Sequence, residues 1–135
     1  MAKAAQSWID ARALILRDGQ EFLLLRPDSE EETVWEFPGG RAEPRESPEA
    51  ALRRYCKQQL RIEVNFVLGQ PPFVYDFGTH KVAYRFYECT LASGAPQVKE
   101  GAEIRWIRSQ QLRDYVFDPP TQQVVDWLLG EGKPS

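Results

Sequence analysis

The segment from Gly39 to Ile62 combines residue types that handle phosphate groups, and its sequence is GGRAEPRESPEAALRRYCKQQLRI. Its opening glycine pair allows backbone conformations that other residues avoid, so the chain can approach a ligand closely. The guanidinium groups of Arg45 and Arg54 present planar sets of donors that suit phosphate oxygens. Glutamates of the same segment carry the charged oxygen ligands that magnesium prefers. These residue types point to a phosphorylated ligand, a divalent metal, or both.

A helix is predicted to begin inside this segment and to position its second half. Ser47 suits the N-cap, Pro48 the first helical position and Glu49 the first turn. An apolar residue then recurs at every fourth position, which predicts a stripe that faces the core. The residues of the stripe are Leu52, Cys56 and Leu60.

The elements before this segment are predicted to be strands. Residues 11–17 and 21–26 are short runs rich in apolar residues, and the Asp18-Gly19 pair between them is a strong hairpin signal. Residues 33–37 continue an extended pattern until Pro38 and the glycine pair end it. The segment is therefore expected to start as a loop that leaves a strand.

The elements after the helix are predicted to be mostly strands, followed by a last helix. Alternating apolar and polar residues indicate strands at 62–69, 71–77, 81–91 and 103–107. Residues 109–115 suit a brief helix, and 119–130 suit a longer one that opens on proline and ends at Gly130. The order strands, helix, strands, helix favours an α/β fold of the α+β kind, with helices flanking a largely antiparallel or mixed sheet.

Composition places the chain among folded proteins and excludes several functions. Its 135 residues suit a single domain over 1–135, with frayed ends at about 1–6 and 131–135. The net charge of −3 argues against a polynucleotide partner. Cys56 and Cys89 are too few for a disulfide framework. No apolar run suits a signal peptide or a membrane span, so a cytoplasmic protein without a membrane partner is expected.

The spacing of the central segment resembles the Nudix box, the loop–helix–loop signature of hydrolases that act on nucleoside diphosphates linked to another group. Gly40, Glu46, Arg54 and Ile62 fall on signature positions. The flanking segments 35–40 and 99–125 are similar to the MutT-like branch, so the resemblance covers nearly the whole chain. It implies a Nudix fold, an α/β/α sandwich, with a site for a nucleotide.

Several residues depart from that signature. Three positions where the family carries glutamate on one helical face hold Tyr55, Gln58 and Gln59, while Arg45 and Arg61 stand where it carries glycine. In the family this face holds magnesium or manganese against the diphosphate. A glutamine has no net charge to attract the cation and cannot serve as a base. Hydrolysis by the family's usual route is therefore not expected, and a metal at these positions is not expected either.

Some acidic residues remain near the segment. Glu43 and Glu46 lie in its loop, and the resemblance aligns Glu100 with a metal-associated glutamate of the MutT-like branch. If the fold brings these three together, they are candidates for catalysis, and Glu46 and Glu100 are the residual candidates for holding Mg²⁺ or Mn²⁺. In the alternative interpretation, Glu46 pairs with Arg54 as a brace for the loop, while Glu43 and Glu100 are solvated.

Ligand contacts are expected from the segment and from the last helix. The resemblance places Thr121, followed by Gln122, where MutT-like proteins carry an asparagine that reads a purine. Thr has one hydroxyl in place of an amide that both donates and accepts, so recognition of oxidised guanine is not implied. The candidate ligand- and phosphate-binding residues are Gly39, Gly40, Arg45, Arg54, Thr121 and Gln122.

Three hypotheses for function remain open from the sequence. The first is a protein that binds a nucleotide or nucleoside-diphosphate-type ligand without the usual metal-dependent hydrolysis. The second is an atypical hydrolase that uses Glu43, Glu46 and Glu100 with Mg²⁺ or Mn²⁺. The third is an interaction scaffold that binds no small molecule. The sequence leaves the ligand, the oligomeric state and any protein partner open.

Overall fold

The elements follow a strand–helix–strand–helix order across residues 6–28 and 34–130, the part of the chain that the computed structural model describes. The α-helices are α1 (Pro48–Leu60) and α2 (Pro119–Leu128), and Ser109–Asp114 forms a 3-10 helix. The order predicted from the sequence is confirmed. The strands are β1 (Gln6–Arg17), β2 (Glu21–Arg26), β3 (Gly39–Arg41), β4 (Glu63–Gly69), β5 (Phe73–Asp76), β6 (His80–Ser93) and β7 (Glu103–Arg108).

The strands form one mixed sheet whose centre is the parallel pair β1 and β6. The order across the sheet is β4-β6-β1-β2-β7, while β3 pairs with β1 and β5 pairs with β6. All pairings other than β1–β6 are antiparallel. The predicted hairpin between β1 and β2 and the predicted mixed sheet are both confirmed.

Each face of the sheet carries its own apolar core and one α-helix. Successive residues of a strand point to opposite faces, so Ala13 of β1 packs toward α1 and Leu14 toward α2. The predicted stripe of α1 is fully buried in the first core. Val124 and Val125 of α2 are buried in the second. The fold is therefore the α/β/α arrangement expected from the resemblance.

The chain between β2 and α1 differs from the prediction of a strand that ends at the glycine pair. In the described part, Glu36 forms an isolated bridge with Leu25, and the ladder with β1 is made by Gly39–Arg41 instead. Gly39 can pair with β1 because it has no side chain. A Cβ at this position would lie 2.0 Å from the Ala11 carbonyl oxygen. The glycine that was expected to break a strand is what allows this strand to pair with β1.

Side chains define where both helices begin. The Ser47 hydroxyl accepts a hydrogen bond from the Ala50 N–H at 3.1 Å, which confirms the predicted N-cap. The Asp118 carboxylate accepts from the Thr121 N–H at 3.0 Å and caps α2 in the same way. Gly130 follows α2 with a φ of 74°, as its predicted role at the helix end requires.

Helix α1 ends on a residue in left-handed conformation. Arg61 has φ 59° and ψ 38°, and its backbone N–H bonds to carbonyls of the last turn. A side chain with a Cβ is disfavoured in this conformation, which glycine adopts freely. The backbone of Arg61 is therefore strained at the position where the Nudix signature has glycine. Its side chain is exposed.

Replacing Arg61 by glycine should stabilise the protein. The change relieves the left-handed strain, and we expect the free energy of unfolding to rise by about 0.5–1 kcal/mol after the entropic cost of glycine. Urea unfolding measures the difference. Arg61→Ala retains the Cβ and is the matched control, expected within about 0.5 kcal/mol of the parent. A glycine variant no more stable than the alanine variant would contradict this account.

Other expectations concern the ends of the chain and membranes. The predicted frayed ends lie outside the described residues, apart from Gln6, which begins β1. Within residues 6–28 and 34–130, no helix has the length and apolar character needed to cross a membrane.

Candidate functional site

Helix α1 is joined to β3 by a two-point hydrogen bond. The Gly39 N–H donates to Gln59 Oε1 and Gln59 Nε2 donates to the Gly39 carbonyl, both at 3.1 Å. A carboxamide can form this pair because it carries an acceptor and a donor side by side. Gln59 therefore binds both polar groups of a backbone unit at the start of the signature segment.

Tyr55, one turn earlier on the same face of α1, also contacts β3. Its hydroxyl donates to the Arg41 carbonyl at 2.8 Å. Its ring lies over Gly40, where an added Cβ would come within 2.6 Å of the ring carbon that bears the hydroxyl. Two of the three family metal positions thus hold side chains that are bonded to the backbone of the neighbouring strand.

The third position, Gln58, faces a cavity of about 370 Å³. The Gln58 side chain is exposed, and its carboxamide has no hydrogen-bond partner among the described residues. Asp28 and Lys99 bring one charge of each sign to the lining, and Tyr55 and Gln59 border it from α1. The apolar walls come from Leu25, Pro27, Val98 and Ala102.

The donors around this cavity do not fit a magnesium or manganese ion. The α1 face presents carboxamides and a phenol, and the amide groups of Gln59 are already paired with Gly39. Hard divalent cations gain much of their affinity from carboxylate charge. Within the described part of the chain, only Asp28 supplies such a charge to this lining, and Lys99 faces the same cavity.

The brace between Glu46 and Arg54 is present. Arg54 Nη2 and Nε donate to the two carboxylate oxygens of Glu46 at 2.8 and 2.9 Å. Glu46 also accepts from the Glu43 N–H at 3.1 Å. These hydrogen bonds lower the pKa of Glu46 to about 2. The largest effect comes from Arg54, and the next largest from the Glu43 N–H. The interpretation that Glu46 supports the loop through Arg54 is thus supported by geometry.

The remaining acidic candidates are not gathered into one site. Glu43 and Glu100 are exposed, and neither lines the Gln58 cavity. Glu43 and Glu46 instead border two cavities on the other side of the loop. No group of three histidine, cysteine or acidic residues with metal-binding geometry occurs in the described ranges.

The other predicted ligand residues are spread over the surface and α2. Arg45 is exposed beside an open hollow at the loop and does not line the Gln58 cavity. Thr121 is buried in the first turn of α2, and the amide of Gln122 donates to Asp126 on the same helix at 3.0 Å. The structure therefore does not bring Arg45, Thr121 and Gln122 to one cavity.

A charged cluster near α2 was not anticipated from the sequence. Arg12 Nε and Nη2 donate to the two Asp10 oxygens at 2.6 and 3.1 Å, and its Nη1 donates to the Phe37 carbonyl at 3.0 Å and lies 3.3 Å from Glu36. Burial raises the pKa of Glu36, although Arg12 opposes this effect. The signal in the sequence was the Asp-x-Arg pattern, which puts two charges on one face of a buried strand.

Neither cysteine is available as a nucleophile. Cys56 and Cys89 are both fully buried in the core on the α1 side. Burial raises the pKa of each thiol to about 12, so neither forms the reactive thiolate at neutral pH.

A glycine pair that begins β3, a helix packed on that strand and a mixed sheet between two helices agree with one known family. Residues 8–128 match the profile of the NUDIX domain, and the chain belongs to this family. It is a MutT-like member, as the flanking segments predicted. The fold and the position of the segment are thereby confirmed.

Relatives and solved structures agree with this assignment. The 8-oxo-dGTP diphosphatase of Haemophilus influenzae is 29% identical over 126 residues, covering 91% of this chain and 93% of that protein. The CTP pyrophosphohydrolase of Escherichia coli is 46% identical over 52 residues, 38% of each chain. The solution structure of the E. coli ORF135 protein superposes with a TM-score of 0.79 at 24% identity, over 94% and 91% of the two chains. At that identity the structure supports the fold alone.

Changing Gln59 to glutamate should destabilise the protein. The variant loses the donor to the Gly39 carbonyl and places a carboxylate against it, so we expect the free energy of unfolding to fall by about 1–2 kcal/mol in EDTA. Gln58→Glu is the matched control, because Gln58 has no described partner, and should stay within about 0.5 kcal/mol of the parent. Urea unfolding of both variants measures this, and equal effects would argue against the two-point bond.

The Glu46–Arg54 pair should make stability depend on pH in the acidic range. Because the pKa of Glu46 falls from 4.5 to about 2 on folding, its contribution is complete above about pH 4.5 and is lost as the pH falls toward 2. Glu46→Gln removes this contribution, so the stability difference between parent and variant should shrink over that window. Chemical unfolding at several pH values measures it.

Glu43→Gln is the control for this pH dependence, since the Glu43 side chain lies exposed in the same loop. It should follow the parent across the whole range. A constant difference between the parent and Glu46→Gln from pH 5 to pH 2 would show that the ion pair is not responsible.

Proposed function

We propose that this protein binds a nucleotide-type ligand, the class that includes nucleoside diphosphate derivatives, and has lost the usual metal-dependent centre for pyrophosphate hydrolysis. The observation that carries the proposal is the α1 face. Tyr55 and Gln59 are committed to the backbone of β3 by hydrogen bonds, and Gln58 is a neutral side chain. The signature is therefore degenerate in its chemistry while its backbone arrangement is retained.

Ligand binding is supported by the cavity beside that face. Its volume of about 370 Å³ lies in the range of small-molecule sites, and it combines apolar walls with a few polar groups. The relatives that share the family are named as nucleotide diphosphatases and pyrophosphohydrolases. A nucleotide-type ligand is the class that this ancestry and this cavity favour together.

The hydrolase alternative requires Glu43, Glu46 and Glu100 to hold Mg²⁺ or Mn²⁺. The geometry argues against it, because Arg54 engages Glu46, and Glu100 is absent from the loop cavities that Glu43 and Glu46 border. A single domain over 1–135 in the cytoplasm, without a membrane or polynucleotide partner, remains a prediction.

Isothermal titration with a nucleotide panel that includes ADP-ribose and 8-oxo-dGTP tests the proposal, in EDTA and in magnesium. We expect binding in EDTA and no phosphate-containing product from the bound compound. Binding that requires magnesium, with turnover, would support the hydrolase alternative. Failure of every compound to bind would leave the interaction scaffold.

Restoring the signature gives an independent test of what was lost. The variant Tyr55→Glu/Gln58→Glu/Gln59→Glu should gain magnesium-dependent hydrolysis, by about tenfold or more over the parent, because carboxylates then supply the missing charge. Its unfolding midpoint, measured with magnesium and with EDTA, shows whether the variant folds and binds the ion. A folded variant that is stabilised by magnesium and still inactive would show that more than this face was lost.

A further inference from the structure

We propose that the cavity beside Gln58 selects ligands with at most one phosphate group, a nucleoside or a nucleoside monophosphate, and discriminates against di- and triphosphates. This inference rests on the proposed function and narrows its ligand class. The ligand would then resemble a product of the family's reaction more than a substrate.

The charge of the cavity is the first argument. Among the described residues, Lys99 is the one cation in its lining, and Asp28 carries the opposite charge in the same lining. The three α1 residues that border it, Tyr55, Gln58 and Gln59, are uncharged. One ammonium group can accompany one phosphate, whereas each additional phosphoryl group adds negative charge that the cavity does not offset.

The nearby guanidinium groups do not make up this deficit. Arg54 gives two donors to Glu46 in a bidentate pair, and Arg12 does the same with Asp10. Arg26 lies in sequence between the lining residues Leu25 and Pro27, and its guanidinium is paired with Glu103. Arg41 and Arg45 border cavities on the far side of the loop and are absent from this lining. The cations that are paired would have to give up a carboxylate before they could bind a polyphosphate.

The remaining groups suit an uncharged, planar part of a ligand. Gln58 has a carboxamide with no partner among the described residues, and a carboxamide can donate to and accept from the edge of a nucleobase. Leu25, Pro27 and Val98 supply apolar walls on which such a ring can pack. Gln59 leaves little free hydrogen-bonding capacity, because it is paired with Gly39.

A series of ligands that differ only in phosphate number tests this inference. Adenosine, AMP, ADP and ATP, with the matching guanine series, are titrated calorimetrically in EDTA at low ionic strength. We expect the nucleoside or the monophosphate to bind most tightly and each further phosphate to weaken binding by about twofold to fivefold. Affinity that rises with phosphate number would overturn the inference while leaving nucleotide binding intact. Absence of binding throughout both series would also overturn the inference, and binding of ADP-ribose or 8-oxo-dGTP in the wider panel would still leave the proposed function intact.

Two isosteric variants locate the effect. Gln58→Glu adds a negative charge at the cavity and should weaken AMP binding about fivefold more than adenosine binding, because both ligands lose the amide contact to the base and only AMP carries a phosphate. Gln110→Glu adds the same charge at an exposed position that borders a different cavity, and should change neither. Equal effects of the two variants on AMP would show that the monophosphate binds elsewhere.

Lys99 provides the complementary measurement. Lys99→Gln should weaken AMP binding by about fivefold and leave adenosine binding within about twofold. If both ligands bind Lys99→Gln as they bind the parent, Lys99 does not accompany the phosphate and the charge argument fails.

Discussion

The hydrogen-bonded pair between the Gln59 carboxamide and the Gly39 backbone holds the signature segment together. It joins the last turn of α1 to β3, and β3 in turn pairs with β1 at the centre of the sheet. Tyr55 adds a second bond to the same strand two residues along. In the resembled family this helix face binds metal cations. In this protein Tyr55 and Gln59 on the same face are hydrogen-bonded to the backbone of β3.

The family signature usually combines two properties, the position of the loop and helix and the charge that binds a metal. In this protein the two are separate. The positions of the loop and helix depend on buried apolar residues, a serine cap and the Glu46–Arg54 pair, all of which are present. The chemistry depends on charge at positions 55, 58 and 59, which is absent from the sequence. A protein can retain the first property without the second because different atoms supply them.

Most of the fold could be predicted from the sequence, because periodicity and caps act locally. The stripe of α1, the cap at Ser47 and the hairpin at Asp18-Gly19 were all readable from neighbouring residues. The pairing of Gly39–Arg41 with β1 was missed because it depends on close approach to Ala11, a contact between distant parts of the chain.

The candidate site was less predictable for the same reason. That Gln59 would bind Gly39, and that Arg12 would contact Glu36 as well as its near neighbour Asp10, depends on which elements lie opposite each other in the fold. The brace between Glu46 and Arg54 could be predicted from the sequence, because the two residues lie only eight positions apart in one loop and helix. Charge complementarity within a short segment is visible in a sequence, whereas partnership across the fold is not.

The Gln59 bond also bears on how readily such a protein could regain its ancestral chemistry. Glutamine and glutamate codons differ by a single nucleotide, so reversion is mutationally easy. Yet reversion at position 59 would break a satisfied pair with Gly39 before enough carboxylates were present to hold a cation. Selection for stability would act against such an intermediate, so the proposed loss of the metal centre would be hard to reverse at this position.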